Sequence, residues 1–225
     1  AWHRIQPQLG LAGERSADAV HLDDERERVM LRLEYRALAT ALRSRGNARR
    51  QATRDALIFR AERFAAFPSA ASSEATLFRN EGLASYTGVR LGVRENPDLY
   101  AARTLDDFDT HDAYVRAFAY AAGPGYGLLL DDLEPNWRAE LGAYSPPDLL
   151  LNQLRPRIGN RNALRQARER YSGAAIAAEE ASRARARAAV LAGLRQTYTV
   201  EPRLEAPLIN MSMEFNPSQI TAVPD

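Results

Sequence analysis

The chain contains no cysteine and no lysine. The first absence excludes disulfides, thiol nucleophiles and cysteine-ligated zinc together, and is compatible with either redox compartment. The second makes all 30 positive residues arginine, set against 29 acidic ones for a net charge of +1. Acidic and basic residues are interspersed, so there is no field for a polyanion to follow and a nucleic-acid partner is not expected. No apolar run reaches the ~18–20 residues a membrane-spanning helix needs. Neither an initiator methionine nor a signal peptide opens the chain, and a processed or truncated start is expected. The compartment therefore stays open, with a periplasmic or secreted setting favoured over the cytoplasm.

Within 225 residues, 45% are hydrophobic, enough for a real core. Their spacing is helical almost throughout, which predicts a mainly α fold, a multi-helix bundle over 1–195 followed by an extended tail over 196–225. Pro7 should stop a short first helix. Asp23-Asp24 opens a pattern running to about Arg45, with Met30, Leu33, Ala37, Leu38, Ala41 and Leu42 as its apolar stripe. Further helices are predicted over about 48–67 and 72–86, the second capped by Ser72 or Ser73 and stopped at Gly88. Residues 92–109 read as a polar loop. A helix from near Thr110 is expected to break at Gly123-Pro124-Gly125-Tyr126-Gly127. Pro135 and Pro146 each start a short helix, and an Ala/Arg-rich helix fills about 161–195. Only the tail changes period: Tyr198-Thr199-Val200 and Leu208 to Phe215 alternate as a C-terminal β-hairpin or strand pair does.

The candidate chemistry is sparse. His3 sits at the end of the first predicted helix and is either a solvated residue or a metal ligand. Glu81 shares a helix side with Glu74, Leu77, Phe78, Ala84 and Ser85, so its carboxylate points into an apolar face. Such a group needs a metal or an ion pair, for which Arg60 or Arg63 would serve. Glu34 lies on the inner side of its own helix, between Met30 and Leu38, and is the rival carboxylate; its other reading is a buried glutamate held by arginine. Tyr120 and Tyr126 flank the Gly-Pro-Gly segment and are candidate donors to an oxyanion, or else core aromatics. The glycine run lacks the G-x-x-x-x-G-K-[ST] frame of a phosphate loop, and no E-x-x-H pair supports a di-iron bundle.

Two fragments carry a resemblance. Ala1-Trp2-His3 matches the end of H-E-x-x-H, and Asn80-Glu81-Gly82-Leu83-Ala84-Ser85-Tyr86 resembles the N-E-G-x-A-x-Y stretch that supplies the carboxylate ligand of gluzincin zinc metallopeptidases. The resemblance implies a zinc ion held by two histidines and Glu81, with a glutamate base just upstream of His3. It also implies a peptide or protein substrate. The chain would then be part of a zinc-dependent, peptidase-like hydrolase of bacterial type, and inactive without the residues preceding Ala1. The contrasting expectation is a non-catalytic helical module that binds a peptide or protein, with Glu34, Glu74 and Glu81 neutralised by arginines. Oligomeric state is not legible.

Overall fold

In a computed structural model the described residues are 2–11, 18–141 and 144–200, with residues 202, 210 and 212. They are mainly helical, and no strand occurs among them. A short helix α1 (Trp2–Ile5) passes into a 3-10 turn (Gln6–Leu9) at Pro7. Two long helices follow, α2 (Glu25–Arg43) and α3 (Gly46–Ala66). Next come α4 (Ala70–Leu77), a π turn (Phe78–Gly82) and α5 (Leu83–Gly92), one continuous rod. The remainder is α6 (Pro97–Asp109), α7 (Phe118–Leu133), α8 (Pro146–Leu154), α9 (Arg161–Arg170) and α10 (Gly173–Arg195).

Helix α2 is the hub, packed most extensively on α3 and α6 and also on α7 and α10. Its start follows from chemistry at Asp24, whose side chain accepts from the backbone N–H groups of Arg26 and Glu27 and so satisfies two orphan donors. Helix α7 fits among its neighbours because it is built of small residues: Ala119, Ala121, Ala122, Gly123 and Gly125 are buried. The α carbons of Gly82 and Gly123 meet at the α5–α7 crossing, where a methyl on Gly123 would overlap the Gly82 backbone. A methyl on Gly127 would enter the Tyr86 ring.

Five sequence expectations are corrected. The polar stretch 92–109 is largely helix α6, started by Pro97 and burying Ala101, Ala102 and Leu105 on one side. The Gly-Pro-Gly segment does not break α7, which runs through Pro124. Gly88 does not end α5, which continues to Gly92. Ser172, at φ 60°, divides the long Ala/Arg-rich segment into α9 and α10. The predicted strand at Tyr198-Thr199-Val200 is instead part of a π turn (Gln196–Val200) continuing α10. Of its partner segment 208–215, all but Asn210 and Ser212 lie outside the described residues. The helical-bundle reading stands and the β-hairpin is not supported.

The core also contains charge. Arg63 is fully buried and donates to Glu74 through Nε (3.1 Å) and Nη2 (2.9 Å), while its Nη1 meets Glu34. Arg60 adds a second guanidinium to Glu74, and His21 Nε2 lies 2.9 Å from the same carboxylate. Burial alone would raise the Glu74 pKa, but Arg63 and Arg60 outweigh it and hold the group well below the usual carboxylate range. On the other side of the hub, Arg28 and Arg32 bind Glu180 at 2.6 and 3.1 Å, which fastens α10 where its own buried apolar surface is small.

Glu27 differs from these groups. It is fully buried, and among the described residues neither carboxylate oxygen has a hydrogen-bond partner. Burial pushes its pKa up to about 7, against the opposing charge of Arg63. The folded state therefore keeps a proton that the unfolded chain releases, so this group's contribution falls as pH rises from about 4.5 to 7 and is level above that. Glu27→Gln should gain on the parent by roughly 2–3 kcal/mol between pH 5 and pH 8 in urea titrations. By the close helix contacts above, Gly127→Ala should cost more than ~2 kcal/mol. Gly88→Ala, where an added methyl meets open space, should stabilise by about 0.5–1 kcal/mol.

Candidate functional site

Glu81 lies within the π turn, where one extra residue per turn rotates the side chains out of the α register. The register shift separates it from the buried face that Glu74 occupies: Glu74 has no exposed side-chain surface, whereas Glu81 retains 27%. The π turn is wedged by Phe78, which packs edge-on against Phe118 and Tyr126 at 5.5 and 5.7 Å between ring centroids.

His3 comes to Glu81 from the other end of the sequence. Its Nε2 is 3.9 Å from Glu81 Oε2, and its side chain is 61% exposed, so the pair lies open at the surface. The ring orientation is set by Gln6. The buried Gln6 amide nitrogen donates to Leu11 O at 2.9 Å and to Asn80 Oδ1 at 2.7 Å. Its oxygen is thereby left as an acceptor, and His3 Nδ1 donates to it across 3.2 Å. In the neutral imidazole the lone pair is then on Nε2, the atom that faces Glu81. This is how a metal-binding histidine is commonly oriented, through a hydrogen bond at its other nitrogen.

Tyr120 closes the group. Pro124 has no N–H to offer the carbonyl four residues earlier, which is that of Tyr120. Ser85 takes the freed acceptor, its hydroxyl donating to Tyr120 O at 2.8 Å. The proline that sequence reasoning takes for a break thus creates a link between α5 and α7 beside Glu81. Tyr120 is part-exposed and hydrogen-bonds Glu81; burial, then the charge and hydrogen bond of Glu81, push its hydroxyl up to about 12. A hydroxyl that keeps its proton to that pH is a donor, not a base.

Glu34 and Tyr126 face each other elsewhere. Tyr126 OH donates to Glu34 Oε1 at 2.8 Å, and Arg63 meets the other oxygen. Both side chains are fully buried, and burial with the Glu34 charge pushes Tyr126 well above its ordinary range. Of the five residues singled out in the sequence, three gather at the surface and two lie in the core. Arg60 and Arg63, the expected partners of Glu81, instead hold Glu74 and Glu34. Gln6, Asn80 and Ser85 complete the surface cluster. The N-E-G fragment pointed to Asn80, but Gln6 carried no signal, since glutamine after a helix end is unremarkable.

Two donors on one tetrahedral zinc at ~2.0–2.2 Å stand about 3.3–3.5 Å apart. His3 and Glu81 fit a shared cation with a closure of a few tenths of an ångström. Among the described residues, no three His, Asp or Glu side chains gather as a metal-holding group. The pair is therefore at most part of a donor set. No family model, curated protein or solved structure matches the chain.

The coupling of Tyr120 to Glu81 is measurable by itself. In Glu81→Gln the Tyr120 hydroxyl should titrate below its parent value of about 12 yet stay above 10, because burial, the largest cause, persists. Tyrosine 13Cζ shifts followed from pH 8 to 13 would read this, and an unmoved Tyr120 would refute the coupling.

Proposed function

We propose that His3 and Glu81 are two protein ligands of a zinc site in a peptidase-like hydrolase, with Tyr120 as the neighbouring hydrogen-bond donor. The supporting observation is geometric: His3 Nδ1 lies 3.2 Å from Gln6 Oε1 while its Nε2 lies 3.9 Å from the Glu81 carboxylate. The resemblance of Asn80–Tyr86 to the gluzincin carboxylate helix points the same way. A zinc ion bound there supplies a Lewis acid and a water acidified to near neutrality. Within this reading Glu81 contributes a charged oxygen ligand, and Gln6 fixes the His3 ring. Tyr120 offers a proton-bearing hydroxyl to the oxygen of a peptide carbonyl as negative charge develops on it. The second histidine and the general base would be supplied by residues preceding Ala1. Glu34 and Tyr126 have no part in this assignment, since each already satisfies the other.

A helical binding module is the second reading, favoured by one observation: arginines neutralise Glu34 and Glu74 in the interior. Zinc content separates the two. It should be measured on this chain and on a form extended upstream by about twenty residues, in both parent and Glu81→Ala versions. The hydrolase reading expects about one zinc per extended chain, lost in Glu81→Ala, and little in the shorter chain. Loss with Glu34→Ala but not Glu81→Ala would move the ligand to Glu34. An extended chain without zinc would leave the binding module.

A further inference from the structure

On the face formed by α3, α8 and α9, well apart in sequence from His3 and Glu81, a cleft of about 480 Å³ is lined by four arginines. These are Arg54, Arg155, Arg157 and Arg170, and the one acidic residue in the lining is Asp55. That carboxylate is fully buried and saturated. Its Oδ1 accepts from Gln51 Nε2 (3.0 Å) and Arg170 Nη2 (2.7 Å), and its Oδ2 from Arg170 Nε (2.9 Å) and Tyr171 OH (3.0 Å). Asp55 thus cancels one guanidinium and fixes its plane, leaving three further positive charges around the opening.

The other arginines are also arranged. Arg54 spends Nε on the Leu154 carbonyl at 3.0 Å, the unsatisfied end of α8, and so keeps its terminal nitrogens for another acceptor. Arg155 follows α8 directly and is held at φ 42°, a left-handed conformation that costs a non-glycine residue on the order of 1 kcal/mol. Neither the Arg155 nor the Arg157 guanidinium has a hydrogen bond or ion pair among the described residues. Ile58, 4% exposed, forms an apolar floor.

We propose that this cleft binds a small oligoanion, a ligand carrying two or more phosphate or carboxylate charges. Guanidinium forks make paired, charge-assisted bonds to these planar or tetrahedral oxyanions. A single negative charge would leave most of the field uncompensated. The bounded volume of the cleft selects a compact ligand.

The test is isothermal titration of the folded chain with pyrophosphate and, separately, with citrate at low salt. The exposed pair Arg155→Gln/Arg157→Gln should weaken saturable binding at least ~10-fold. A charge-matched control, Arg94→Gln/Arg103→Gln, lies outside the cleft and should change it less than ~2-fold. Tighter pyrophosphate binding identifies a phosphate ester as the ligand class, and tighter citrate binding a polycarboxylate. The proposal is overturned if neither probe saturates by about 5 mM. It is equally overturned if both double variants lose affinity alike, because net charge would then account for the binding. Circular dichroism of the variants confirms that their helices are intact.

Discussion

Arg63 takes a positive charge to a place with no solvent, and the surrounding helices are arranged to meet it. Burying an ion costs several kcal/mol unless its donors are all answered. Here Glu34 answers from α2 and Glu74 from α4, while Tyr126 of α7 binds the free oxygen of Glu34. Four helices, α2, α3, α4 and α7, are thereby tied together around one buried charge. Removing Arg63 would take a guanidinium from both buried carboxylates, which is more costly than the pairs are stabilising. The same device recurs where Arg28 and Arg32 clasp Glu180, and where Asp55 holds Arg170.

The surface cluster depends on this interior indirectly. Because Arg60 and Arg63 are committed to Glu74 and Glu34, neither is spent on Glu81. The π turn then places Glu81 at the rim, and the Gly82–Gly123 contact brings α7 close enough for Tyr120 to reach it. Pro124 contributes by an omission: the hydrogen bond it cannot make leaves an acceptor for Ser85. The result is a carboxylate, an oriented imidazole and a proton-bearing phenol within a few ångströms, all open to solvent.

Most helices were legible because each buries one continuous stripe, and a 3.6-residue period survives in the letters. Helix α6 was not, since Asp98, Arg103, Asp106 and Asp107 outnumber the three buried apolar residues and make the segment look like a solvated loop. Pro124 misled for a different reason. A proline in a helix interior normally breaks it, yet here a side chain from another helix compensates the lost bond, and no local pattern encodes that. The alternation at Tyr198–Val200 predicted a strand, but the segment simply continues the preceding helix as an exposed π turn.

Local sequence therefore settled where helices start, which faces are apolar, and which few residues had the chemistry for a metal site. Those properties depend on neighbours within a turn or two. Tertiary structure decided which charge meets which. Glu34, Glu74 and Glu81 are alike in type and all sit on helices. Burial depth and the distance to Arg63 separate them: two are neutralised in the core, and one stands at the surface beside His3, 78 residues away in the chain. Coulombic pairing acts through space, and only the folded packing of α2, α3, α4 and the π turn sets those distances.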